Sequence, residues 1–183
     1  MPQIKNTNQR YGIVSISLHW FMAALIFVLI GLGLYMVDLP DEGFDMKKIT
    51  LIVVHKELGM LVLFLVLIRL VWRIGSVMPL LPPHVPSWQK LAARCVHLSF
   101  YGFMIALPLT GWLMSSAGGF PVAILGLFTL PDLIEPNIYQ MDFFIEIHNW
   151  LAYGLIGTIF IHIIAALMHQ FIYKDDILKR IWF

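Results

Sequence analysis

The sequence holds a single cysteine, Cys95, in 183 residues. One thiol builds neither a disulfide framework nor a Cys-rich metal cluster, and Cys95 is expected as a core thiol. Charge is scarce too. Asp, Glu, Lys and Arg make up 13% of the chain, where a soluble domain carries about 25%. A formal net charge of +1 gives no footing for a nucleic acid. No internal repeat or low-complexity tract divides the chain, so residues 1–183 read as one integral membrane domain. A cleavable signal peptide is not expected: the first apolar run is too long, and no small-residue cleavage site follows it.

What fills the chain instead is apolar sequence, with 60% hydrophobic residues and a mean hydropathy of +0.82. A bilayer core about 30 Å thick is crossed by about 20 apolar residues in a helix. Four stretches qualify, at about 13–37, 50–73, 87–116 and 142–173. They predict an all-α bundle of four transmembrane helices. Pro108 is placed to kink the third, and the fourth is long enough to tilt or project beyond lipid. Residues 78–87 contain four prolines, which forbid a regular helix. The run Ala117-Gly118-Gly119 before Pro121 ends the third helix, and the loop 118–141 is long enough to cap one face.

Basic residues orient this bundle. Lys5, Arg10, Arg69, Arg73, Lys90, Arg94, Lys174, Lys179 and Arg180 fall on one side, nine of the twelve Lys and Arg. Lys47, Lys48 and Lys56 fall on the other, and the loop 118–141 has none. The positive-inside rule then places both termini and the loop between helices two and three in the cytoplasm. Nine of the eleven acids lie on the opposite side, which agrees but sets topology only weakly.

Seven histidines require a reason, since a polar side chain in a bilayer is costly and marks function more often than not. His84 sits among prolines and reads as a solvated bystander. On helix four, His148 and His162 are fourteen residues apart, which returns to within about 40° of one face after about 21 Å of rise. His19 enters helix one at the cytoplasmic depth of His162, and His55 enters helix two at the outer depth of His148. Two bis-imidazole sites stacked across the membrane follow from that matching. Neutral imidazole is a suitable axial ligand for haem iron, and a four-helix core can hold the group. No Cys-x-x-Cys-His occurs, so the haems would be of b type, without thioether bonds.

Arg69 shares the stripe of His55 at the cytoplasmic depth, where it could pair with a haem propionate. Gly59, one turn below His55, leaves room for a flat macrocycle. His97 is expected beside the cytoplasmic pair, although its position would also let it replace His19 or His162. Trp112, Trp150 and Tyr153 read as packing and interface residues. Three alternatives compete: histidines that only hydrogen-bond between helices, a directly bound zinc or iron, and a proton-relay transporter. The last two lack carboxylates at the depth of His162, since Glu57 and Glu146 lie near the outer surface.

With these residues in place, the sequence resembles the bacterial cytochrome b561 family, small di-haem b proteins of the inner membrane. The matching pieces are Arg10-Tyr11, Ser17-Leu18-His19-Trp20, His55-Lys56-Glu57-Leu58-Gly59 and Arg69-Leu70-Val71-Trp72-Arg73. They continue with His97, Ala106-Leu107-Pro108-Leu109-Thr110-Gly111-Trp112, His148, His162 and the ending 169–176. The resemblance implies His19 with His162 for one haem and His55 with His148 for the other. It also implies an oxidoreductase that takes electrons from superoxide at the outer side and reduces ubiquinone. Lys47, Lys48 and Lys56 could steer the anion, opposed by Asp38, Asp41, Glu42 and Asp45. His169, with Arg73 or Lys174, could bond a quinone carbonyl and supply a proton. The second class is a relay subunit between quinol and a periplasmic redox protein, similar to membrane subunits of hydrogenases and formate dehydrogenases, with the loop 118–141 as docking cap. Membrane lipid is the common partner, and the chain is expected as a monomer or homodimer.

Overall fold

The computed structural model describes residues 3–40, 45–80, 82–83, 85–124, 126–175 and 177–182. His84, the acids Asp41 and Glu42, and Asp176 lie outside the described residues. Four long helices carry the architecture: α1 (Ile13–Val37), α2 (Met46–Ile74), α3 (Ser87–Ala117) and α4 (Ile138–Met168). Each is long and apolar enough to cross a membrane, counting α4 with the π-helical turn His169–Tyr173 that continues it. Both chain termini gather at one end, hereafter the terminal end. The two short strands β1 (Val122–Ile124) and β2 (Phe128–Leu130) lie at the other, the hairpin end.

Two helices start at side-chain caps ahead of their apolar runs. The Asp45 carboxylate accepts from the Lys47 backbone N–H at 2.8 Å, so α2 starts at Met46, ahead of its apolar run. The Asn137 side chain accepts from the N–H groups of Tyr139 and Gln140, and α4 starts at Ile138. Each cap satisfies donors that a helix N-terminus otherwise leaves open.

The protein-only core is thin and lies on three helices. Its buried cluster is Met22 and Leu25 of α1, Val62 and Val66 of α2, and Met104 of α3. The principal interfaces are α1 with α2, α2 with α3, and α3 with α4. No residue of α4 belongs to the cluster; the helix leans on α3 through Gly154, where an added Cβ would lie 2.9 Å from the Phe103 ring. Small residues permit such close approach in lipid, where packing rather than water exclusion drives association. Cys95 is exposed, which overturns its expectation as a core thiol. It lies nine residues before buried Met104, about two and a half helical turns, and so on the opposite face of α3.

The loop after α3 adds a small antiparallel sheet to an otherwise helical fold. Val122 pairs with Leu130, Ala123 with Thr129 and Ile124 with Phe128. Gly119, at φ +69°, makes the turn out of α3 that a residue with Cβ adopts at a cost. The last turns of α3 anchor the cap: Trp112 Nε1 donates to Pro131 O at 3.1 Å, Ser115 Oγ to Phe120 O at 2.6 Å, and Leu133 N to Ser116 Oγ at 3.1 Å. At the terminal end, Trp20 Nε1 donates to Ile181 O at 2.8 Å and the Trp20 and Trp182 rings meet edge to face. The end of the chain thus closes over the start of α1.

Candidate functional site

α4 packs chiefly on α3, and its two histidines meet one imidazole each from α1 and α2. The ring centres of His19 and His162 stand 6.3 Å apart with planes at 65°. Those of His55 and His148 stand 6.4 Å apart at 69°. A metal ligated by two imidazoles, about 2 Å from each nitrogen and with each ring centre about 1.2 Å further back, would separate the centres by about 6.4 Å. Both pairs have that spacing. Among the described residues, no three His, Cys, Asp or Glu side chains are arranged to hold a bare ion.

At the hairpin end the rings rest on backbone. An added Cβ at Gly33 of α1 would lie 3.4 Å from His55 Cε1, and one at Gly111 of α3 would lie 3.5 Å from His148 Cε1. At Gly59 an added Cβ would meet nothing within 4 Å. Thr110 Oγ gives its one proton to Leu107 O at 2.9 Å and stands 3.1 Å from His148 Nδ1. With that proton given to Leu107, the hydroxyl is placed to accept from Nδ1–H, and the Leu107 backbone also bonds the His148 ring. In that tautomer Nε2 keeps a lone pair for a metal. His55 Nδ1 is buried with no hydrogen-bond partner. An imidazole left incomplete in a dry interior is costly, and a ring ready for an additional partner accounts for it.

The terminal end is more crowded. Arg69 Nη2 lies 3.3 Å from His19 Nδ1. Arginine only donates, so Nδ1 accepts and the proton of His19 sits on Nε2. A metal at that nitrogen requires Arg69 to move to another acceptor, a role an anionic carboxylate suits. The structure thus places Arg69 on His19, where the sequence suggests a haem propionate as its partner. His97 stands 5.8 Å from His162, ring centre to ring centre, and Phe100 stands 5.3 Å from it. Donor set, spacing and open backbone together fit a flat macrocycle held by two imidazoles.

The remaining predicted residues divide. His169 Nδ1 lies 2.6 Å from Asp175 Oδ2, with Asp175 almost fully buried. The π-turn and left-handed Lys174, at φ 50°, reverse the chain so that the carboxylate returns to the imidazole. Arg73 lies over the Tyr101 ring, 5.7 Å from its centre. Among the described residues no hydrogen bond joins Arg73 or Lys174 to His169. Nearby, burial pushes the Tyr11 phenol above its ordinary value, against the pull of Arg73 and Arg69. At the hairpin end, Lys47 is exposed and bonds the Tyr35 hydroxyl, Lys48 bonds Leu39 O at 3.0 Å, and Lys56 bonds Ser115 Oγ and Pro121 O. Trp150 and Tyr153 form an exposed edge-to-face pair.

Sequence reasoning passed over Thr110, Ser115 and Asp175. Thr110 stands in the Leu107-to-Trp112 run already noted. Asp175 follows His169 by six residues across a helix end, where face counting no longer applies.

The family described as prokaryotic cytochrome b561 matches residues 10–183. Cytochrome b561 homolog 2 of Escherichia coli (strain K12) is 37% identical over 176 residues, covering 96% of this chain and 92% of that protein. Cytochrome b561 homolog 1 of the same organism is 33% identical, covering 69% and 71%. A Yersinia pestis protein named probable superoxide oxidase CybB is 24% identical, covering 94% and 96%.

Proposed function

Because the chain belongs to the prokaryotic cytochrome b561 family, we propose that it is a two-haem superoxide:ubiquinone oxidoreductase of the bacterial inner membrane. Membership itself implies haem b and membrane electron transfer. The observation that carries the finer reading is the pair of imidazole couples, at 6.3 and 6.4 Å, one toward each end of the bundle. His19 with His162 would hold one haem and His55 with His148 the other, and these groups supply the one-electron chemistry that side chains lack. The likeness to a protein named probable superoxide oxidase supports the choice of donor.

The side chains then have separate tasks. With the terminal end in the cytoplasm, Arg69 would bond a haem propionate in place of His19 Nδ1, and His19, with its proton on Nδ1, would offer Nε2 to the iron. Asp175 accepts from His169 Nδ1–H, which orients the ring so that Nε2 can bond a quinone carbonyl and pass it a proton. Arg73 and Lys174 keep that surface cationic. At the outer end, Lys47, Lys48 and Lys56 attract a small anion, with Lys47 the most open to it. Two superoxide anions yield two dioxygen molecules and two electrons. Ubiquinone takes the two electrons with two protons to become ubiquinol.

A second reading, a relay to a periplasmic redox protein, draws on the cap. Leu127 and Phe128 at its tip are 79% and 57% exposed, which suits docking better than steering a small ion. Spectra of the purified protein separate the two. A low-spin b-type spectrum with about two haems per chain, reduced by enzymatically generated superoxide and reoxidised by ubiquinone, is expected. Haems inert to superoxide yet reducible by quinol would overturn the oxidase reading in favour of the relay.

A further inference from the structure

Lys56 follows His55 in sequence, yet its ammonium is bound elsewhere. It donates to Ser115 Oγ at 3.0 Å and to Pro121 O at 2.9 Å. Both acceptors are neutral. Ser115 is buried and gives its own proton to Phe120 O at 2.6 Å, so toward Lys56 it only accepts. No carboxylate among the described residues pairs with Lys56. Among the described residues, then, a positive charge is fixed at a partly dry position with no carboxylate paired to it.

Its place is set by α3. Gly111 of that helix meets the His148 ring, at 3.5 Å for an added Cβ. Ser115 is four residues further on the same face, a rise of about 6 Å. The ammonium is thus held roughly one turn beyond the His148 ring, on its hairpin side. Neutral imidazoles leave an oxidised haem core with one more positive charge than its reduced form. A fixed cation nearby opposes the oxidised form, and a low-dielectric surrounding weakens the effect far less than water would.

Resting on the two-haem reading, we propose that Lys56 is a positioning residue that holds a positive charge on neutral acceptors beside the His55–His148 pair and raises the reduction potential of the haem held there. The same two hydrogen bonds tie α2 to α3 and to the start of the hairpin. The charge therefore acts at equilibrium, with no superoxide present, which separates tuning from steering.

The test is an equilibrium redox titration of the purified, haem-loaded protein, followed by its visible spectrum. Wild type should resolve two components, the hairpin-end one identified as that missing from His148→Ala. Lys56→Gln is expected to move that component to more negative potential and leave the other in place, while Lys56→Arg moves neither. Ser115→Asp keeps the lysine but sets a carboxylate against it, so it should give the same negative shift even where Lys56→Gln folds poorly. A hairpin-end component unmoved by both Lys56→Gln and Ser115→Asp would overturn the proposal and leave the two-haem reading intact. A shift in Lys56→Arg as large as that in Lys56→Gln would also overturn it, since packing rather than charge would then be responsible. A wild type that binds only one haem per chain would sink the two-haem reading and this proposal together.

Discussion

The two ends of the bundle carry the same pair of imidazoles in opposite surroundings. At the terminal end, His162 has His19, His97 and Phe100 around it, and Arg69 already occupies His19. At the hairpin end, the described surroundings of His55 and His148 are each other, two glycine backbones, Thr110 and the Leu107 backbone, with Lys56 about a turn away. One end is oversupplied with donors and cations, the other has the minimum. Redundancy lets a site exchange partners, as Arg69 must. Economy would make each proposed ligand indispensable, with the His148 ring oriented by Thr110 and the Leu107 backbone.

The largest expected effect tests the economical end. His148→Ala should lower the haem content from two per chain to one, with the terminal-end spectrum retained; two haems still bound would end the assignment of His148. The crowded end should answer differently. His19→Ala is expected to keep part of its haem, because His97 stands 5.8 Å from His162, whereas His19→Ala with His97→Ala should lose all of it. Equal loss in the single and double variants would show that His97 is no substitute.

Smaller effects sharpen the contrast further. His169→Phe should slow ubiquinone reduction about 100-fold, the lower part of what a positioned proton donor contributes. Haem spectra and superoxide-driven reduction of the haems should stay unchanged, and an unaltered steady-state rate would remove His169 from the quinone site. Thr110→Val keeps the side-chain shape but removes the hydroxyl beside His148 Nδ1, leaving the Leu107 backbone as its partner among the described residues. It should weaken haem retention at the hairpin end about tenfold, as loss of an orienting partner behind a ligand does. Competition with apomyoglobin for haem would measure this, and equal weakening at both ends would contradict it.

The depth arithmetic on His19, His55, His148 and His162 needs only helix rise and bilayer thickness, and the four rings meet in the same two couples. Cys95 shows where that arithmetic stops. Its residue type suggested burial, but its angle from Met104 on α3 puts it on the outer face. Asp175 was missed for a different reason: the π-turn at His169 and left-handed Lys174 change the geometry in the five residues that separate the two. The lysines were read by their place along the chain, whereas Lys56 is defined by Ser115, fifty-nine positions away.

By itself, then, the sequence determined four apolar spans, the axial depth of each histidine and the scarcity of competing ligands, because each depends only on local composition and a fixed rise per residue. Tertiary structure decided the rest: that α4 packs chiefly on α3, which groups stand against the ring nitrogens of His19 and His148, and where the charge of Lys56 is held. Those features depend on helix rotation and on partners distant in the chain, and a rotation of one helix by a fraction of a turn would change all of them while leaving every apolar run as it is.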